Sequence, residues 1–178
     1  MEIVYDLDKR REYQEKVEAE RQAQHAAKEA ALAVAGGDDG MKVLVAVATT
    51  GGGQVNQHFG HATEFQIYEL TGTSTAFIGH RRVDLYCQGG YGEDEQLPSI
   101  VGAINDCHAV LVSKIGACPR DELTAAGIEP VDEHAHEFIE QAALAWFAGY
   151  RARVAAGEIV QRPRGDARIR QGAYTAAA

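Results

Sequence analysis

Cysteine is scarce in this chain, with three in 178 residues. Cys87, Cys107 and Cys118 are an odd number, at spacings that match neither a disulfide framework nor a CxxC zinc or cluster motif, so reduced thiols are expected. Long apolar runs are missing as well. No stretch approaches the ~20 residues of a membrane span, and the start, MEIVYDLDKRREYQ, has neither the basic opening nor the apolar middle of a signal peptide; the expected location is the cytoplasm. Nor is there a surplus of basic residues: 17 Lys and Arg stand against 26 Asp and Glu, a formal net charge of -9. General binding to a phosphate backbone needs the opposite balance, which argues against that class while leaving room for an anionic ligand held locally. No nucleophile-elbow glycine pattern occurs, which argues against a hydrolytic triad.

What is present centres on Met41–His61, MKVLVAVATTGGGQVNQHFGH. Val43 to Ala48 are an uninterrupted β-branched and apolar run, the pattern of a strand buried on both faces in an α/β sheet. Thr49 ends it. Gly51, Gly52 and Gly53 permit positive φ and close backbone approach, and Asn56, Gln57, His58 and His61 supply polar and metal-ligating groups. The triple glycine is no phosphate-binding loop, because no Gly-Lys-Ser/Thr follows, and dinucleotide spacing fails at Asn56. A two-metal nuclease needs carboxylates on the first strand, where Val43, Val45 and Val47 stand instead.

Composition divides the chain into three parts. Residues 1–40 are a helical arm and linker: 6–35 lack proline and glycine and favour helix, with Leu7, Tyr13 and Val17 as the only sizeable apolar side chains before an alanine-rich stretch, and Gly36–Gly40 break it. Such a thin stripe suits an arm that lies along a partner or stands in solvent. Residues 41–156 form the folded domain. Glu64–Leu70 alternates as a strand with one wet face, Thr71–Ser74 turn, and Thr75–Val83 returns as a hairpin. Asp84–Asp94, DLYCQGGYGED, reads as a second irregular loop. Leu97, Ile100, Val101 and Ile104 recur at helical spacing up to Cys107, Ala109–Ser113 and Gly127–Val131 read as strands, and Cys118 precedes Pro119 where a short helix begins. The final helix, ending near Ala156, is expected to pack through Phe138, Ile139, Ala142, Ala145, Trp146 and Gly149. Residues 157–178, with four arginines and an alanine tail, are expected to be mobile. His25 reads as a helix-surface residue and His80 as a paired strand histidine.

This order predicts a mixed five-stranded sheet with flanking helices, an α/β unit of the ribonuclease H-like kind. Right-handed crossovers then make strands one, three, four and five point the same way. Their carboxyl ends share a rim carrying Gly51–His61, Asp84–Gly92, Lys114–Cys118 and Asp132–His136, where open α/β sheets place ligands. Cys107 and His108 fall at the opposite rim and read as structural. A thiol at a helix amino terminus has its thiolate favoured by the dipole, which makes Cys118 either a reactive or ligating cysteine or a small cap. Imidazole and one thiolate on glycine-rich loops can ligate exposed iron of a preformed cluster and release it again, unlike four preset thiolates. Backbone amides at Gly51–Gly53 and Gly89–Gly92, with Lys114, can offset an anionic cluster. The plain alternative is that HFGH is a turn packing Phe59 into the core.

The segments MKVLVAVATTGGGQVNQHFGHATEFQIYEL, YCQGGYG and KIGACPRDELTAAGIEPV resemble the dinitrogenase iron–molybdenum cofactor biosynthesis family over about Met41–Tyr150. That family takes in NifX- and NafY-like carriers and the carboxyl-terminal domain of a radical-SAM cofactor synthase, and YCQGGYG and IGACP look most like this fused version. The resemblance implies the ribonuclease H-like fold and transient binding of an iron–sulfur precursor cluster or iron–molybdenum cofactor during nitrogenase cofactor assembly. His58, first in HFGHA, would be the chief ligand. Joined to the rim read from the residues, this gives a site in which His61, Cys87 or Cys118 would help, Cys87 being the cysteine set beside His58 as a metal ligand, and Gly52, Gly53, Asn56 and Lys114 complete the expected cofactor-binding set. The implied partners are nitrogenase assembly proteins, including a radical-SAM cofactor synthase. The CxxxCxxC motif of radical-SAM chemistry is absent from this chain, so no catalytic residue is assigned. Two other readings stand: an accessory domain of such a synthase, and a metal-free interaction or regulatory module in which the arm docks an assembly partner.

Overall fold

Directly after the linker the apolar run forms strand β1, Val43–Val47, with all five side chains buried. The computed structural model describes residues 7–34, 37, 39–86 and 93–161. A strand apolar on both faces must be covered on both, and each fully buried valine contributes roughly 1.5–3 kcal/mol. β2 (Glu64–Leu70) and β3 (Thr75–Arg82) follow as an antiparallel hairpin, then helix α2 (Glu93–Ala103), β4 (Ala109–Leu111), helix α3 (Ala117–Ala125), β5 (Glu129–Val131) and helix α4 (Ile139–Ala155). Helix α1, Leu7–Val34, precedes them all.

The strands pair in the order β3-β2-β1-β4-β5. β2 runs against β1 and β3, whereas β4 is parallel to β1 and β5 to β4. This is the mixed sheet expected of a ribonuclease H-like unit, and the carboxyl ends of β1, β3, β4 and β5 do share one rim. Alternate residues of β1 feed two cores. Leu44 and Ala46 join Ile100 of α2, Ile104 just past its end and Leu123 of α3 on one face, while Val43, Val45 and Val47 join Trp146, Phe147 and Tyr150 of α4 on the other.

Several boundaries differ from the sequence reading. β4 stops at Leu111 instead of Ser113, because the Ser113 amide turns to donate to the Gln57 carbonyl. β5 starts at Glu129, not Gly127, whose φ of 77° belongs to the preceding turn. The packing face of α4 is rotated: Ala145 and Gly149 are exposed, and Ala143, Leu144, Phe147 and Tyr150 are buried with Ile139, Ala142 and Trp146. Two large rings displaced the small residues from the buried arc. The irregular loop expected at Asp84–Asp94 gives way to α2 at Glu93, and residues 87–92 lie outside the described set, as do 162–178 of the expected mobile tail. His25 is exposed on α1 beside Glu29, and His80 on β3 lies 3.4 Å from Glu64.

The arm begins in solvent and ends on the domain. Residues 7–23 are exposed throughout, including Leu7, Tyr13 and Val17. From Gln24 onward α1 lies along α4 and runs the same way. The Gln24 side chain abuts Gly53 at the rim, Lys28 pairs with Glu140 at 3.1 Å in the first turn of α4, and past the end of α1 Asp39 pairs with Arg151 at 2.8 Å near the end of α4. Gly72 closes this corner, since a Cβ there would fall on the Gly37 carbonyl.

Candidate functional site

Past β1 the chain leaves the sheet at Thr49 and returns at Gln57. Asn56 staples this loop: its Oδ1 accepts from the Thr50 amide at 2.8 Å and its Nδ2 donates to the Gly51 carbonyl at 3.1 Å. Gly51, Gly52 and Gly53 all have left-handed φ, 116°, 73° and 68°, a run that residues with a Cβ rarely adopt. The loop then folds toward α4, where the Ile139 amide donates to the Gly53 carbonyl at 2.8 Å and the His136 amide to the Val55 carbonyl at 2.7 Å.

Gln57–Phe59 next runs beside Ser113–Lys114, extending the β1–β4 pairing past the strand ends. Ser113 donates to the Gln57 carbonyl and Phe59 to the Lys114 carbonyl, both at 2.9 Å. A single 3₁₀ turn, Phe59–His61, follows. With three residues per turn, positions three apart eclipse, so His58 and His61 project from one side. Their rings stack at 5.1 Å between centroids with planes 19° apart. Phe59 points the other way, 1% exposed, with its ring 6.0 Å from Phe65 and 6.1 Å from Tyr86. The HFGH turn therefore packs a phenylalanine inward and presents two exposed imidazoles outward, and the second follows from the first.

Across from the imidazoles stands the β4–α3 connection. Together they enclose a depression of about 320 Å³ lined by His58, Gly60, His61, Tyr86 and Lys114–Pro119. That is the lower end of the range of ligand pockets, about 300–1,000 Å³. Gly116 caps α3 without a side-chain hydrogen bond, and the positive end of the helix, with Ala117 and Cys118 in its first turn, borders the cavity that Lys114 also lines. No carboxylate lines it among the described residues. On a chain of net charge -9 this is a local cationic spot with soft donors, suited to an anionic ligand and unsuited to a hard divalent cation. Nor do any three His, Cys, Asp or Glu side chains lie close enough to hold one ion, among the described residues. A larger groove of about 710 Å³ between Glu64, Arg82, Asp84 and α2 carries no histidine or cysteine among the described residues.

The depression thus gathers His58, His61, Lys114 and Cys118. Gly52, Gly53 and Asn56 do not line it; they build the loop on the α4 side of the rim. Cys87 lies outside the described residues, and its chain neighbour Tyr86 is part of the wall. Tyr86 itself was not singled out from sequence; the signal available was its position just past β3 on the shared rim. At the opposite rim Cys107 and His108 are buried, His108 exchanging hydrogen bonds with the Leu44 backbone: its amide donates to the carbonyl at 2.7 Å and its Nδ1 accepts from the amide at 3.3 Å.

Comparison with known proteins adds a family. The model of the dinitrogenase iron-molybdenum cofactor family matches residues 41–149. The chain belongs to that family. Every described residue lining the depression falls inside the match, and α1 falls before it. The chain is 60% identical over 178 residues to the FeMo cofactor biosynthesis protein NifB of Herbaspirillum seropedicae, covering 98% of this chain and 34% of that protein. It is 52% identical over 166 residues to the NifB protein of Bradyrhizobium diazoefficiens, covering 93% of this chain and 33% of that one. With the NifB protein of Azotobacter vinelandii it shares 52% over 120 residues, 66% of this chain and 23% of that protein. The chain spans about a third of the length of the first two. No helix among the described residues is long and apolar enough to cross a membrane.

Proposed function

We propose that this chain takes part in iron–molybdenum cofactor biosynthesis as a non-catalytic holder of cargo, binding an iron–sulfur precursor cluster or the cofactor itself at the rim depression and yielding it to an assembly partner. The observation that carries the reading is the stacked His58–His61 pair opposite Lys114 and the amino terminus of α3 in a cavity that no carboxylate lines among the described residues. Imidazole supplies a bond to exposed iron, the ammonium and the helix dipole offset the negative charge of a sulfide-rich cargo, and Cys118 offers a thiolate from the far wall. Donors spread around a cavity, with no three converging on a point among the described residues, favour a polynuclear cargo over a single ion. Few protein bonds make the hold reversible, as delivery requires.

Because the chain spans a third of relatives named for FeMo cofactor biosynthesis, a second reading has it as the accessory part of a longer synthase, the same depression holding cluster made elsewhere in that polypeptide. No radical step is assigned to these residues in either case. The test is anaerobic incubation with the precursor cluster, gel filtration, and iron and sulfide analysis with visible absorption. Wild type is expected to retain cluster and His58→Ala to lose most of it while keeping its circular dichroism. Equal retention removes His58 from the ligand set; no retention by wild type leaves a metal-free interaction module.

A further inference from the structure

The arm carries an unpartnered stripe whose pattern is complementary to itself. Below the rim, α1 docks on α4 through Gln24, Ala27, Lys28, Ala31 and Leu32, which are half-buried, while Ala26, Glu29 and Ala30 are exposed. Counting back by heptads from this face, Gln24 gives Val17 and Ala27 gives Glu20 and Tyr13, so the docking stripe continues above the rim through Arg10, Tyr13, Val17 and Glu20. There it packs on no other element among the described residues: Tyr13 is 69% and Val17 38% exposed. Residues 7–23 extend about 25 Å past Gly53, at ~1.5 Å per residue.

We propose that two copies of this chain associate through these arms as an antiparallel helix pair. Centred on residue 15, antiparallel pairing sets Tyr13 against Val17 of the second copy and Arg10 against its Glu20, each twice by symmetry, giving two apolar layers bracketed by two ion pairs. The charges already on the helix fit this division. Arg11 and Arg21, off the stripe's centre, pair within the helix with Asp8 and Glu18, whereas Arg10 and Glu20 make no ion pair among the described residues. On the flanks Gln14 meets Gln14 of the second copy and Leu7 would lie along the stem of its Arg21, while Lys16 meets its Lys16, a like-charge contact that weakens the pair. The rims of the two domains then face one another across the paired arms, roughly 25 Å apart. A paired stretch this short buries less than the ~1,200 Å² of a standard interface, so the dimer is weak and concentration-dependent.

Sedimentation equilibrium of the full chain from about 10 to about 1,000 μM tests this, a window set by the small interface. A monomer–dimer equilibrium is expected, abolished in the Tyr13→Glu, Val17→Glu double variant. Arg10→Glu weakens association at least about fivefold, and adding Glu20→Arg restores it, the coupling expected of residues in direct contact. All four positions are exposed, so the domain folds regardless. A monomer at every concentration, a dimer indifferent to Tyr13 and Val17, or a charge swap that fails to restore pairing overturns the proposal.

Discussion

His58 and His61 hold their rings 5.1 Å apart and nearly parallel because Phe59, which lies between them in sequence and points the opposite way, is fixed in the core. The pair is thus set before any ligand arrives, and its two members are unequal. His58 is tied by backbone pairing to Lys114, whereas His61 ends a single 3₁₀ turn. His61→Ala should therefore weaken cluster retention by about tenfold and His58→Ala by more, within the 10–100-fold range that loss of supporting groups at metal sites commonly costs. Titration of each variant with precursor cluster, followed by absorption, measures the ratio; a larger loss at His61 would reverse the ranking.

Phe59 links stability to binding. Phe59→Ala removes a fully buried ring from contact with Phe65 and Tyr86, at about 3–5 kcal/mol. Phe59→Leu should cost less and keep the turn in place. Urea denaturation gives the stability, and the sharper expectation concerns retention: the alanine variant should lose cluster even where it is still folded, since both imidazoles ride on the displaced turn.

The two cysteines within the described residues should differ in reactivity. Cys118 is exposed in the first turn of α3, and Cys107 is buried below the opposite rim. Iodoacetamide applied to the native protein should label Cys118 and leave Cys107 unmodified until denaturant is added, as peptide mapping would show. If the depression holds the cluster, labelling of Cys118 slows when cargo is bound, and an unchanged rate would place the cargo elsewhere.

Much of the fold was legible because β1 is so uniform: a five-residue strand with every side chain buried admits covers on both faces, and hairpin and crossover rules do the rest. Helix α4 resisted because it is apolar around most of its girth, lying between the sheet and α1, so periodicity alone could not choose Phe147 and Tyr150 over Ala145 and Gly149. That His58, His61, Lys114 and Cys118 line one depression was legible from strand direction, which put their loops on a shared rim. Gly52, Gly53 and Asn56 were grouped with them by nearness in sequence, but left-handed glycines serve a loop that must double back as well as one that cradles a ligand. Tyr86 escaped because a tyrosine between a strand and a glycine loop has no pattern separating wall from core; it is both, packed on Phe59 and facing the cavity.

The corner that fastens the arm should be sensitive to acid. The Asp39 carboxyl is held below its ordinary value of 3.8, chiefly by the Met41 amide, which donates to it at 3.0 Å, and also by the Arg151 guanidinium, with slight burial opposing both. A carboxyl whose value is depressed on folding stabilises the folded state above its unfolded value, and that contribution disappears as pH falls through the folded one. The contact is half exposed, so its size is that of a surface pair, under about 1 kcal/mol, or no more than ~2–4 °C in Tm for a chain of this length. Asp39→Asn should accordingly melt slightly below wild type near neutral pH, the gap closing as pH drops from about 5 toward 2, where wild type too has a neutral group at this position. Thermal melts of both proteins across that range decide it. A gap that widens toward low pH would mean that Asp39 is destabilising when charged, and that Arg151 is held by its stacking over Phe147 instead of by the carboxylate.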